Sequence, residues 1–510
     1  MKPFLLILPA LFLSCALNCA ELDFDALNQS AKDNLINLIN IDTSQPEPQE
    51  TKALRYIYKK LNKYKIDWDI YRTEKPRGNL IAVLKADKEL AKRNEKPLIL
   101  ISHLDTAAIQ DGWTLPPAKA TLKDNRIYGL GSTDAKNYAA INLTILTRLS
   151  KGDFKLNRDI IFLFTSDEES GSEKGIKFLY DRYPEKLKAG YALNEGGGVM
   201  KNEDGKIPVD ILFVEAATKM YMDILVTAKG DGGNASSVGA NNAIYKLSQT
   251  LATIESYQPL YKFSPLAKTF FERIFPYQDD DAQTTLKLLA SEDPLQAQQT
   301  AKIISEDEFF KTQISDTITP TVLTSGTEAN TAFNEASANL NCRLLPQSDP
   351  MAFVDELSAL FAEDENVTLT VIERPEIPFP QPPASFDDPL FKAIEKAAEQ
   401  TFPGILVLPG LTPASSESEF LRRHGVITYG IGPLLQENGN GPHQPDESIS
   451  EKDFFEQLKL TFNIVLNLVT DPQPENKASA PKPETNEEDE AREPVQDDFL
   501  PIIQEGAAAI

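Results

Sequence analysis

Ile160-Ile161-Phe162-Leu163-Phe164-Thr165-Ser166-Asp167-Glu168-Glu169-Ser170-Gly171 joins an apolar run to three consecutive carboxylates. The run Ile160–Phe164 is short, β-branched and aromatic, which reads as a buried strand. Carboxylates at the end of such a strand repel one another and lose hydration unless a cation or a proton compensates them. In open α/β sheets the carboxyl ends of strands are where ligands bind. The plain alternative is a solvated acidic turn or helix start, where Asp and Glu are favoured.

Outward from this run, strand and helix patterns alternate. Asn79–Leu84 and Pro97–Ser102 read as strands, and Ala31–Ile41, Thr51–Tyr64, Ala139–Leu149 and Lys174–Tyr183 as amphipathic helices. That alternation predicts an α/β sheet with parallel strands. The texture changes near Lys219. Met220–Lys229, Ser337–Leu345 and Val367–Glu373 alternate as strands, with helix patterns at Asn241–Ile254 and Met351–Phe361. These predict an inserted α+β domain with an antiparallel sheet. The α/β texture resumes with the helices Lys392–Thr401 and Glu451–Leu468.

Four further segments carry chemistry-bearing residues. His103-Leu104-Asp105 follows a strand, and its one-residue spacer puts both side chains on one face. Asp134 follows the glycines of Gly129-Leu130-Gly131-Ser132-Thr133, Glu195 precedes Gly196-Gly197-Gly198, and His443 lies in Gly441-Pro442-His443-Gln444. Taken singly, each has an ordinary reading as a turn or a helix cap. The chain has only three histidines. His424 falls on a helix-to-strand connection and reads as structural. The other two, with the carboxylates, make up the donor mix of hydrolytic zinc.

In their order along the chain, Ser102–Thr106, Gly129–Lys136, Thr165–Gly171, Asn194–Gly197 and Pro442-His443 resemble the aminoacylase and glutamate carboxypeptidase family of dizinc hydrolases. The resemblance spans roughly residues 30–470 and extends to the longer carboxypeptidase-S-like and dipeptidase-like members. It implies an α/β catalytic domain with a mixed, mainly parallel sheet, interrupted by a lid that also forms a dimer interface. It implies two Zn2+ ions, replaceable by Co2+, bridged by Asp134. His103 and Glu195 would complete one site, and Glu169 and His443 the other. Glu168 would be the general base on the bridging water, giving a metal-bound hydroxide nucleophile, with Asp105 behind His103. Asp167 is left a structural role. A cis peptide is implied at Asp134–Ala135. In the lid, Asn330 and Arg343 would hold the substrate, the guanidinium gripping a carboxylate.

Two places depart from the family pattern. Asn234 stands where the lid usually carries a histidine that polarises the scissile carbonyl from the partner subunit. An amide can donate a hydrogen bond to an oxyanion but cannot be cationic. The Thr-Asp-x-Arg stretch is replaced by Ser416-Glu417-Ser418-Glu419. The expected activity is cleavage of the amide bond of small peptides with a free carboxylate, of carboxypeptidase or dipeptidase type. The alternatives are an N-acyl-amino-acid deacylase and a catalytically weakened homologue that keeps its metals.

The domain reading is 21–218 and 383–470 for the catalytic domain, 219–348 for the lid with a helical insert at about 257–316, and 349–382 for the end of the lid and the linker back. The formal net charge is −25, which argues against nucleic acid as a partner, since phosphate needs a basic face. Residues 471–510 hold 11 acidic and 3 basic residues and read as a disordered acidic tail. Residues 1–20 fit a secretory signal peptide ending at Ala20, too short to span a bilayer. Cys15 and Cys19 leave a lipid anchor as the alternative. The expected location is periplasmic or secreted, with Cys342 the one cysteine of the mature chain and no disulfide.

Overall fold

The computed structural model describes residues 22–471, apart from 203–208, 238, 240, 279, 290–292, 374, 378, 384 and 433–439. The signal-peptide and acidic-tail readings lie outside the described residues, except Asp471. Among the described residues no helix is long and apolar enough to cross a membrane.

The strand Ile160–Thr165 lies third from one edge of a nine-stranded mixed sheet. From that edge the order is Trp68–Arg72, Gly78–Leu84, Ile160–Thr165, Leu98–His103, Tyr191–Asn194, Ile427–Gly430, Ile211–Thr218 and Leu406–Thr412, with Gly198–Met200 paired to Ile211–Thr218. The central strands are parallel: Leu98–His103 pairs in parallel with both Ile160–Thr165 and Tyr191–Asn194, and Ile427–Gly430 continues the set. Antiparallel pairs flank them.

The unbroken apolar run has a physical cause in this position. Ile160, Phe162 and Phe164 point into a core shared with the helices Phe24–Ile39, Lys136–Leu149, Pro389–Thr401 and Glu451–Val469. Ile161 and Leu163 point to the opposite face, against Ile176, Leu179 and Leu421. A strand covered on both faces loses the polar alternation of a half-exposed one. Truncating the fully buried Phe162 to Ala would cost about 3–5 kcal/mol.

Beyond Thr218 the chain builds a second, four-stranded antiparallel sheet in the order Thr317–Thr324, Glu335–Leu344, Met220–Lys229, Val367–Glu373. The helices Ala243–Ser256 and Pro350–Ala359 give its apolar cover. The strand Thr317–Thr324 begins where the sequence reading ended the helical insert. The insert itself folds as Pro265–Ile274, Asp280–Leu288, Pro294–Ile304 and Glu308–Ile314. Its apolar residues Phe270, Ala301 and Ile314 share a core with Ile211, Phe213 and Leu408 of the nine-stranded sheet. The insert therefore covers the outer strands of the large sheet rather than the small one. Cys342 is buried and free.

Candidate metal centre

Three parallel strands end side by side, and their last residues open into the loops that hold the site. In the register His103 pairs with Thr165, and Leu100 with Leu193. His103 closes its strand, Asp167–Glu169 follow Thr165, and Glu195 follows Asn194. Gly197, two residues on, has φ of +62°, and a Cβ there would overlap the carbonyl oxygen of Phe213. Only glycine lets the chain turn this tightly after Glu195.

Asp134 comes from the loop between the strand Arg126–Tyr128 and the helix Lys136–Leu149, and its peptide bond to Ala135 is cis. His443 comes from the loop before Ser448–Ser450, which pairs with Arg126–Tyr128. Glu447 ties the two loops together. Its carboxylate accepts the N–H of Gly131 at 3.2 Å, the N–H of Thr133 at 2.7 Å and the Thr133 hydroxyl at 2.8 Å.

These loops gather two sets of donor atoms, His103-Asp134-Glu195 and Asp134-Glu169-His443, each within 4.8 Å of one another. His103 Nε2 lies 3.0 Å from Asp134 Oδ1 and 3.2 Å from Glu195 Oε2. His443 Nε2 lies 3.3 Å from Asp134 Oδ2 and 3.1 Å from Glu169 Oε2. Asp134 thus turns one oxygen to each histidine. The other ring nitrogen of His103, Nδ1, sits 3.0 Å from the carbonyl oxygen of Asp105, which fixes the ring with Nε2 facing the carboxylates.

The electrostatics of the bare cluster are those of a cation site. Burial pulls the His103 imidazole down, but the charge of Glu195 and hydrogen bonds to Asp105 and Asp134 hold it well above its ordinary range. Hydrogen bonds to Asp134 and Glu169 raise His443 to about 10. Lost hydration and the charge of Glu195 push the Glu168 carboxyl well above the usual carboxylate range. Protons stand in here for positive charge that a metal would bring. The donor set, two imidazoles and three carboxylates around one shared aspartate, fits a pair of borderline-hard cations.

Three residues that the sequence reading gave no role hold the site from behind. Arg77 pairs with Glu50, at 2.7 Å, and with Asp167. Asp105 Oδ2 lies 3.8 Å from the same guanidinium. Asp167, at φ of +71°, also accepts the Lys174 N–H at 2.8 Å, so it shapes the turn. Glu417 is fully buried and accepts the Thr165 hydroxyl at 2.7 Å. Arg77 lies outside every quoted motif, Glu417 falls in the departing Ser416–Glu419 stretch, and Glu447 lies four residues beyond His443.

A cavity of about 830 Å³ opens on this cluster, lined by Asp134, Glu168, Glu169, Glu195 and His443 among others. The lid residues are placed differently. Arg343 reaches toward Ser415 Oγ and Pro413 O, both at 3.4 Å, and those two residues line the cavity. Asn234 and Asn330 sit together on an exposed ribbon, where Asn234 pairs with Thr331 and the Ala235 N–H donates to Asn330 O at 2.9 Å. Neither lines the cavity. His424 stacks on Tyr180 with ring centroids 3.6 Å apart, in the structural place expected of it.

This fold and donor arrangement define a metal-dependent amide hydrolase. Residues 99–467 match the model of peptidase family M20/M25/M40, most of the chain. The protein belongs to that family. Among relatives, it is 23% identical over 390 residues to an N-fatty-acyl-amino acid synthase/hydrolase of Mus musculus, covering 74% of this chain and 75% of that one. It is 24% identical over 445 residues to aminoacylase-1 of Dictyostelium discoideum, covering 84% and 95%. Human carnosine dipeptidase 1 shares the fold, with a TM-score of 0.59 at 14% identity over 87% of this chain and 97% of that one. So does an M20 family metallo-carboxypeptidase of Sulfolobus solfataricus, with a TM-score of 0.59 at 17% identity over 86% and 98%.

Proposed function

We propose that the protein hydrolyses the amide bond of small peptides carrying a free carboxylate, as a carboxypeptidase or dipeptidase with two zinc ions. The observation that carries this reading is Asp134, which offers one oxygen to each of the two donor sets. His103 and Glu195 would hold one ion, and Glu169 and His443 the other, with Asp134 between them. When bound, the cations supply Lewis acidity, polarising the scissile carbonyl and lowering the pKa of a water.

The remaining work falls to side chains. Glu168 faces the cavity beside Glu169. It takes the proton of the attacking water and returns it to the amide nitrogen as the C–N bond breaks. Asp105 holds the His103 ring and the Glu168-Glu169 backbone. Arg343 grips the substrate carboxylate at the Ser415 edge of the cavity. Asn234 and Asn330, which do not line the cavity of their own chain, would serve substrate in a second copy through a lid-mediated homodimer. The composition of residues 1–20 supports export to the periplasm or beyond.

A second reading, deacylation of N-acyl amino acids, is favoured by the apolar part of the cavity wall. Loading the protein with zinc or cobalt and assaying dipeptides beside N-acyl amino acids tests both. Turnover that requires metal and a free carboxylate is expected. Full metal loading with no turnover of any member would leave the weakened homologue.

A further inference from the structure

The cavity that opens at Asp134 and Glu168 also has an apolar wall. Met200, Phe213, Phe309 and Leu411 line it. Phe309 belongs to the last helix of the insert, Glu308–Ile314, and its ring packs edge-on to Phe213 with centroids 5.4 Å apart.

That helix is fixed in place. The Gln313 side chain, 2% exposed, donates from Nε2 to Leu411 O at 3.0 Å and accepts the Leu411 N–H on Oε1 at 2.8 Å. At Gly410 a Cβ would overlap the Phe213 ring, so the close packing of strand on ring requires glycine there.

The hydroxyl protons and the carboxylate on this wall are already engaged within the chain. Thr312 Oγ1 donates to Glu308 O within its helix at 2.9 Å. Glu215 takes Arg422 at 3.0 Å and the Thr412 hydroxyl at 3.0 Å. A charged substrate group entering here would lose its water against a wall whose carboxylate and amide are already paired. An apolar group would gain contact and shed water. The volume of about 830 Å³ is near the upper end of small-molecule sites, roughly 300–1,000 Å³.

We infer that this apolar wall, completed by Phe309 of the helical insert, selects substrates with a large apolar group on the acyl side of the scissile amide. The group is an acyl chain or a bulky aliphatic or aromatic residue. The inference rests on the amide-hydrolase reading and names its substrate class.

The test uses the zinc-loaded full chain. One arm takes acetyl, butanoyl, hexanoyl and octanoyl derivatives of one amino acid. The other takes dipeptides with Asp, Ala, Leu or Phe before one fixed C-terminal residue. The specificity constant kcat/KM is expected to rise about threefold to fourfold per added CH2, the worth of about 0.8 kcal/mol. Phe309→Asp should lower the octanoyl-to-acetyl ratio at least tenfold. Thr312→Phe, which keeps the Phe309–Phe213 contact, should shorten the chain length of best turnover. Thermal melting confirms that each variant is folded. Dependence in the acyl series alone assigns an acyl chain, and in the dipeptide series alone an apolar residue. No turnover of any member overturns the amide-hydrolase reading. Turnover that ignores chain length and residue type, or a dependence unmoved by Thr312→Phe, overturns the selection by this wall while leaving that reading intact.

Discussion

Oδ1 of Asp105 accepts the backbone N–H of Glu168 at 3.2 Å. Its Oδ2 takes the next N–H, that of Glu169, also at 3.2 Å, and a hydrogen bond from Gln45 Nε2 at 3.1 Å. One buried carboxylate therefore sets the position of the proposed base and of a proposed ligand together, while its own carbonyl orients His103. Asp105→Asn keeps one acceptor and turns a donor toward the other N–H. Partners of this kind typically carry a 10–100-fold effect on metal affinity or activity. We expect a loss in that range for both, read by metal titration and steady-state kinetics on the same preparation.

Glu168 has a different task, and its replacement separates chemistry from binding. Glu168→Gln preserves shape but cannot take a proton. Turnover should fall by about 10²-fold or more, while metal content by elemental analysis stays at the wild-type level. A variant that keeps a tenth of the activity would remove Glu168 from the base role.

Arg343 is half-buried, its guanidinium 4.6 Å from the Tyr221 ring centroid, and it touches the cavity edge through Ser415. A charge-assisted hydrogen bond contributes about 1.5–3 kcal/mol. Arg343→Ala should therefore raise KM for carboxylate-bearing substrates by roughly 10–100-fold. The same substrates with an amidated C-terminus, poor for the wild type, should be little changed by the substitution. Equal losses on both would assign Arg343 to folding of the lid.

The metal-free protein should lose stability as pH rises from acid. Burial raises the Glu417 carboxyl from its ordinary 4.5 to about 8, so the fold favours its protonated form. Below pH 4.5 the residue is protonated in both folded and unfolded chains. Between 4.5 and about 8 only the unfolded chain ionises, so the stability that the protonated group contributes is progressively lost, at up to about 1.4 kcal/mol per pH unit. Above that range both states are ionised and the loss is constant. Glu417→Gln keeps the acceptor for Thr165 and should flatten this slope, measured by urea unfolding after chelation at pH 5 and pH 8. An unchanged slope would assign the pH dependence to other groups.

The large sheet was legible because its central strands are buried on both faces, so Ile160–Phe164 and Pro97–Ser102 read as unbroken apolar runs. Met220–Lys229, with one face on the core, showed its alternation directly. Thr317–Thr324 showed neither pattern. It is an edge strand with most of its residues exposed, and its Thr and Pro residues follow the insert without a break in polarity. At the site, the five residues that the motifs singled out as candidate metal ligands do converge. Arg77, Glu417 and Glu447 act on groups far away in sequence, Glu447 on residues more than 300 positions earlier. No local spacing records such a pairing, and each alone reads as a surface charge. The path of the insert was equally hidden, since an amphipathic helix does not state which sheet it will cover.

The central claim is a pair of cations bridged by Asp134, and metal titration of the chelated protein tests it most directly. The wild type should bind two equivalents of zinc, with activity appearing as the second site fills. His103→Ala and His443→Ala should each remove one equivalent, and Asp134→Ala should weaken both. A single equivalent in the wild type, or two retained in His103→Ala, would contradict the account.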